Sequence, residues 1–222
     1  MIETTHLPEG TFQTAPDIAY NIILHKILDG EYPPGAKLSR RKMAEATHVS
    51  VIPVIEALKR LEEVGLVVSK PQWGSRVTVP TREKVLHTFQ LREAVECQVA
   101  RILSQQITQE QTAQMMSIAT ELDIVPYDDT SAVDSRNRHW EFHNGLAACT
   151  GNDLLVKTLD RANLFWILCQ ALSTTAPRKQ YPRYWHRKLI DDIISGDAER
   201  AERSMREHVL DALPPLLEAL DN

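Results

Sequence analysis

Cysteine is scarce in this chain: three residues in 222, at positions 97, 149 and 169, with no CxxC pair. That excludes a disulfide-framed scaffold and predicts reduced thiols in a cytoplasm. Long apolar runs are missing as well. Nothing approaches the roughly 20 consecutive residues that a membrane-spanning helix requires, so no membrane partner is expected. The first 16 residues, whose only charges are Glu3 and Glu9, lack the basic-then-apolar layout of a signal peptide and are expected to form a flexible arm. No internal repeat or low-complexity stretch occurs, and beyond residue 81 no strand-like alternation is found. There is no overall excess of positive charge either, the formal net charge being −5. What remains is an ordinary globular composition, 43% hydrophobic and 25% charged, long enough for one or two domains.

The charge that is present is unevenly spread. Residues 17–80 carry nine Lys/Arg against seven Asp/Glu, a net +2, while residues 81–222 carry 16 against 21, a net −5. The positive part contains the most informative stretch, residues 37–79. Ser39 precedes a short apolar-faced run with Met43, Ala44 and Ala46, and suits an N-cap. Ser50 suits the cap of a second helix that has Pro53 early, where its missing N–H costs little. In that helix Val54, Ala57, Leu58 and Leu61 recur at three- and four-residue steps. Gly65 suits a left-handed C-terminal position. Leu66-Val67-Val68 and Arg76-Val77-Thr78-Val79 flank Pro71-Gln72-Trp73-Gly74, which reads as a hairpin. Upstream, Ile18, Ile22, Ile23 and Ile27 predict a helix that stops near Gly30 and packs across the pair. Two short helices and a wing form a device for placing one helix in a DNA major groove.

From Pro80-Thr81 onward helix patterns dominate. One long helix carries Leu86, Phe89, Leu91, Val95, Val99, Ile102 and Leu103. Thr108 with Gln111 resembles a capping box ahead of Met115, Ile118, Ala119 and Leu122. Residues 126–129 and 174–182 read as loops. A helix over about 133–150 ends at Gly151, and one over about 153–173 is apolar on most sides. Residues 184–195 predict a helix ended by Gly196. Asp197 caps a last helix, which Pro214-Pro215 should bend or end. Short connections between such helices predict an antiparallel bundle. The fold class expected is therefore mainly α, with a winged helix-turn-helix over 17–80 and a helical bundle over 81–222.

Four of the eight histidines fall in the bundle at suggestive places. His139 and His143 are four apart on one helix, so both rings leave the same face. His186 and His208 lie on two later helices, each on the side of apolar neighbours such as Leu189 and Val209. Should the three helices be adjacent, four imidazoles converge, a donor set that suits zinc, nickel, copper or iron. The plainer alternative is a surface or hydrogen-bonded core pair. Arg92 stands either toward an interior cavity or at the surface, paired with Glu96 one turn on. Asn163 and Arg161, on the apolar central helix, are weaker cavity candidates.

The residues Pro34-Gly35, Leu38-Ser39, Arg41, Met43-Ala44, Val49-Ser50, Pro53-Val54, Glu56-Ala57-Leu58, Leu61 and Gly65-Leu66 resemble the winged helix-turn-helix of GntR-type bacterial transcription regulators. Two recognition-helix arginines of that family fall on Val51 and Ile55; only the arginine of the preceding helix is kept, as Arg41. Residues 84–212 resemble the FCD ligand-binding domain of the FadR branch, through Leu91-Arg92-x-x-x-Glu96, Phe142-His143, Gly151-Asn152, His186 with Ile190, and Gly196-Asp197 followed by Ala201, Met205 and His208. In metal-binding members an aspartate and three histidines are the ligands, and these fall on His139, His143, His186 and His208. The family's aspartate is thus a histidine here, which keeps a ligand and removes a negative charge. Zinc or nickel is then favoured over a hard ion such as magnesium.

The resemblance implies a homodimeric, ligand-responsive repressor. It would bind a palindromic operator, with Arg41, Ser50, Val51, Ile52, Trp73 and Gly74 at the DNA. It would sense a small organic acid through a divalent metal, with Arg92 and Asn163 at the effector. Arginine suits a carboxylate because its guanidinium can donate two parallel hydrogen bonds. The competing class is a metal-dependent enzyme, in which the His cluster activates water and Glu141 serves as base, or a helical metal-binding scaffold. No nucleophile–base pairing supports the enzyme, and neither alternative needs the reader at 37–79.

Overall fold

The computed structural model describes residues 13–124, 132–172 and 184–221. The expected loops at 126–129 and 174–182, and residues 1–12 of the expected arm, lie outside the described residues. In chain order the elements are α1 (Ala15–Leu28), β1 (Lys37–Leu38), α2 (Arg40–Thr47), α3 (Val51–Glu63), β2 (Val67–Lys70), β3 (Gly74–Val77), α4 (Arg82–Gln106), α5 (Gln109–Ile124), α6 (Ala132–Cys149), α7 (Asp153–Leu172), α8 (Trp185–Ile194), α9 (Ala198–Asp211) and α10 (Leu213–Asp221).

The first helix begins before residue 17. Thr14 accepts a hydrogen bond from the Asp17 amide while Asp17 accepts from the Thr14 amide, a capping box with Pro16 in the first turn. Ala19, Ile23 and Ile27, at most 1% exposed, turn inward against α3, whose Val54, Ala57, Leu58 and Leu61 close the same small core. Ser39 and Ser50 hold the N-cap positions with extended backbone, but neither hydroxyl bonds to its helix. At Ser50 one of the two usual donors is missing, because Pro53 occupies the third helical position and has no N–H. Gly65, at φ +81°, ends α3 in the left-handed conformation that favours glycine.

The expected two-stranded ribbon is a three-stranded sheet of order β1-β3-β2, antiparallel throughout. Val67 pairs with Val77 and Lys70 with Gly74, while Lys37 and Leu38 pair with Arg76 and Ser75 on the other edge. A two-residue strand shows no alternation, so β1 left no periodic trace in the sequence. Leu38, 2% exposed, pins it to the core.

In the bundle, α4 runs along α9 and α7, α5 packs on α6 and α8, and α8 packs on α9. The box at Thr108 and Gln111 forms in both directions (3.0 and 3.2 Å), and the Asp197 carboxylate accepts from the amides of Glu199 and Arg200 at 3.0 and 3.1 Å. The Pro214-Pro215 pair splits the last helix into α9 and α10 at Ala212. The stripe on α4 differs from the expected one. Leu91 is 43% exposed, and the buried line runs Val85, Phe89, Arg92, Glu96, Val99 and Leu103. Reader and bundle also meet away from the chain link, where α1 lies against α7.

Candidate metal centre and nucleic-acid interface

The bundle interior gathers the four histidines. His139 and His143 project from α6, His186 from the start of α8 and His208 from the end of α9. Their ring centroids lie 4.6 Å (His139–His143), 5.2 Å (His139–His186), 5.8 Å (His139–His208), 5.2 Å (His143–His208) and 5.0 Å (His186–His208) apart. One donor nitrogen from each of His139, His186 and His208 falls within 4.8 Å of the others. Phe142 and Trp166 complete the walls.

Each ring is held from behind or left bare in front. Asp123 at the end of α5 accepts from His186 Nδ1 at 2.9 Å, from the His186 amide at 3.0 Å, and from Arg187 through its amide and Nε at 3.2 and 3.1 Å. Burial alone would raise the Asp123 carboxyl, but these hydrogen bonds outweigh it and hold the pKa at about 2. An ionised carboxylate only accepts, so His186 Nδ1 donates to it, and Nε2 is left as the buried nitrogen of that ring without a hydrogen-bond partner among the described residues. His143 Nδ1 rests against Glu96 Oε2, and Glu96 Oε1 accepts from Arg92 Nε at 2.8 Å. Arg92, Glu96 and His143 thus form a buried line, each at most 2% exposed.

Among the described residues, five further ring nitrogens are buried without a hydrogen-bond partner: His139 Nδ1, His143 Nε2, His186 Nε2 and both nitrogens of His208. Burial, reinforced by the neighbouring rings, pushes His139 and His208 well below the usual histidine range. Burial also lowers His143, against the pull of Glu96. These three imidazoles are uncharged at neutral pH, the form that binds metal. A neutral imidazole keeps one N–H and offers one lone pair, and the converging nitrogens of His139, His186 and His208 are a donor set that fits a borderline divalent ion.

Arg92 is therefore not a surface residue. It lies 1% exposed, with its guanidinium 4.9 Å from the Trp166 ring and 5.4 Å from Phe89. Its second nitrogen Nη1 is buried without a partner, as are Trp140 Nε1, Trp166 Nε1 and Asn163 Oδ1. Asn163 Nδ2 donates to Asn144 Oδ1 at 3.0 Å, and Asn144 donates to Asp160. Arg161 is exposed and does not join them. Glu141, the base of the enzyme alternative, is an exposed side chain paired with Arg138 at 2.6 Å.

Asp123 escaped the sequence reading, which gave Glu96 only as a surface partner of Arg92 and as part of the FCD resemblance. Asp123 follows Met115 and Ala119 by a further four residues, so a carboxylate falls on the buried stripe of α5. Glu96 falls on the buried stripe of α4 in the same way. A polar residue in register with core positions was the available signal.

In the reader, Arg41 is 88% exposed and loosely paired with Glu45 at 3.5 Å. Ser50, Val51 and Ile52 stand at the exposed N-terminal end of α3. Trp73 lies at the wing tip between Arg76 and Lys70, whose charges sit 4.7 and 5.6 Å from its ring, and Gly74, at φ +79°, closes the turn. The sequence-predicted DNA residues thus fall at the start of α2, the tip of α3 and the wing, while the four histidines, Arg92 and Asn163 lie in the bundle interior.

A winged reader joined to a helical bundle with a buried polar centre defines a DNA-binding regulator. The description "Bacterial regulatory proteins, gntR family" matches residues 17–77 and the FCD domain matches residues 87–211; the chain belongs to the GntR family and carries an FCD domain. It is 28% identical over 205 residues to the HTH-type transcriptional repressor RspR of Escherichia coli K12, covering 86% of this chain and 83% of that one. It is 24% identical over 211 residues to the repressor GlaR of the same organism, covering 90% and 95%. Among solved structures, a GntR transcriptional regulator of Rhodococcus sp. RHA1 shares the fold at TM-score 0.75 and 23% identity, covering 93% of this chain and 99% of that one. E. coli McbR/YncC does so at TM-score 0.78 and 16% identity, with the same coverage. The family consists of regulators, and the enzyme alternative falls with it. No helix among the described residues is long and apolar enough to cross a membrane.

Proposed function

We propose that the chain is a homodimeric, cytoplasmic transcriptional repressor that binds a palindromic operator through residues 17–80. Residues 81–222 would sense a small organic acid at a metal held by His139, His143, His186 and His208. The observation that carries this reading is the cluster of unpartnered imidazole nitrogens beside the unpartnered Nη1 of a buried arginine, in the same chain as a winged helix. A buried polar group without a partner is costly, on the order of 1–3 kcal/mol each, so such a cluster is built for an occupant. Both named relatives above are repressors, which supports the sign of the regulation.

A bound zinc or nickel ion would supply an electrophilic seat for a carboxylate oxygen. The chain's own residues do the rest. Asp123 fixes the His186 tautomer, and Glu96 orients His143. Arg92 Nη1 would donate to an acid's second oxygen, and Asn163 Oδ1 would accept from a hydroxyl. Two symmetric readers match two half-sites, hence the dimer and the palindrome. At the DNA, Arg41 contributes a base or phosphate contact, with Ser50, Trp73 and Gly74 at the backbone.

Acid binding would favour one arrangement of the bundle over another, and the link at Pro80-Thr81 would pass that bias to the readers. A ligand shifts such an equilibrium only by its differential affinity for the two states, typically about 1–3 kcal/mol of coupling. Native mass spectrometry of untagged protein purified without chelator tests metal, retained acid and subunit number together. One ion per chain in a dimer is expected; metal-free protein, or a monomer, would overturn the corresponding part. Calorimetry with sugar acids, hydroxy acids and dicarboxylates, with and without operator, tests the coupling, because reciprocity requires operator to change acid affinity by the same factor by which acid changes operator affinity.

A further inference from the structure

We infer that the recognition helix reads thymine by its methyl group. The inference rests on the chain being a DNA-binding regulator and concerns what its reader selects. Val51, Ile52 and Ile55 are 40%, 78% and 41% exposed, whereas Val54, Ala57, Leu58 and Leu61 on the same helix are at most 2% exposed. The three exposed aliphatics occupy the first, second and fifth positions of α3, on the side away from the core. Single exposed aliphatics are common, but three large ones contiguous at one helix tip mark a surface that a partner completes.

The surroundings specify the partner. Arg40, Arg41 and Lys42 on α2 are exposed, and Lys59 stands on α3 one turn beyond Ile55. The wing adds Lys70 and Arg76, both beside the Trp73 ring. Of the acids, Glu45 pairs with Arg41, Glu56 and Glu63 share α3 with Lys59, and Glu62 accepts from the Ser69 amide next to Lys70. An apolar centre rimmed by cations is complementary to a polyanion with apolar groups in its groove. In the major groove thymine alone offers a methyl at the base edge. Guanine O6 and N7, adenine N6 and N7 and cytosine N4 would lose water to an aliphatic and gain no hydrogen bond. The same side chains therefore attract thymine and penalise the other bases, whereas an arginine at Val51 or Ile55 would grip guanine.

The test uses the full chain and an operator obtained by binding-site selection from random duplexes. Each thymine of the half-site is replaced by deoxyuridine, which removes only the C5 methyl. Each contacted methyl should cost about three- to five-fold in affinity, the size of one buried carbon group. Where a cytosine variant of such a position binds weakly, 5-methylcytosine should recover part of the loss. Ile52→Ala, a change at a mostly exposed side chain, should weaken the parent operator and abolish the uracil penalty at one position. Uracil tolerated at every thymine, a half-site without thymine under α3, or an undiminished uracil penalty in Ile52→Ala, Val51→Ala and Ile55→Ala would each overturn the methyl reading and leave the regulator intact. Failure to select any sequence would remove both.

Discussion

The two halves of this molecule break the same rule in opposite directions. The reader leaves Val51, Ile52 and Ile55 in water, and the bundle takes Arg92, Glu96, Asn163, His143, His186 and His208 out of it. Apolar surface outside and polar groups inside are both unfavourable in isolation. Each is tolerated where a second molecule corrects it: a nucleic acid in one case and, on the proposed reading, a metal with an acid in the other. The contrast also separates stability from function. The exposed aliphatics are not part of the buried core, whereas Glu96 on α4 meets His143 on α6.

The largest effect should come from breaking that inner line. Glu96→Ala leaves the Arg92 guanidinium buried without its carboxylate and should cost about 3–5 kcal/mol, seen as a drop of roughly 10 °C or more in thermal melting. A melt within two degrees of the parent would mean that the bundle does not depend on the pair. Next in size is metal affinity. His208→Ala should abolish binding of one ion per chain, and Asp123→Asn should lower affinity by about 10- to 100-fold through the His186 ring alone. Calorimetric titration with zinc and nickel separates the two outcomes.

In the reader, restoring guanidinium groups with Val51→Arg and Ile55→Arg should move the selected half-site toward guanine, by about 1–3 kcal/mol per bidentate contact. An unchanged selection would show that α3 does not face the bases. Acid stability tests a different joint. Asp192 on α8 accepts from Lys188 at 2.7 Å and from Arg200 on α9 at 2.7 Å. Burial would raise its pKa, but hydrogen bonds from Lys188, Ser204 and Arg200 hold it below 3.8. Stability from this group is therefore full above the unfolded value and is lost as pH falls through the folded one. Asp192→Asn should lose on the order of 1 kcal/mol at neutral pH and nothing extra in strong acid. Smallest of all, alanine at Val51, Ile52 or Ile55 should change stability by less than about 0.5 kcal/mol while weakening operator binding.

Most of the architecture was legible because helices announce themselves by period and by cap. Thr108 with Gln111, Asp197, Gly65 and the Pro214-Pro215 break all fell where expected. The cap of α1 was equally visible in Thr14-Ala15-Pro16-Asp17, yet an arm was drawn through it. Strand β1 was not visible, since pairing over two residues is set by partners distant in sequence. For the centre, spacing put His139 and His143 on one face, but only packing could bring α8 and α9 to it. Arg92 was assigned to either cavity or surface pair, and the fold makes it an interior residue that also pairs with Glu96. That combination is invisible to a pattern that treats charge as a surface mark.

One further feature concerns how the halves are joined. Tyr20 on α1 lies under the Arg60 guanidinium of α3, 4.3 Å from ring centre to charge, while Arg60 also binds Asp17 at 2.7 Å. Close by, the charge of Asp160 on α7 bears on the Tyr20 hydroxyl, and Asp160 is itself held by Asn144, which Asn163 grips. The reader is thus fastened to the bundle at two points far apart in sequence, the peptide link and the α1–α7 seam. A body held at one point by a flexible tether samples a sphere; a body held at two turns about the line between them. In the proposed dimer the spacing of two readers would then follow the geometry of an axle rather than the statistics of a linker, and lengthening the link at 80–81 alone would leave that axle half in place.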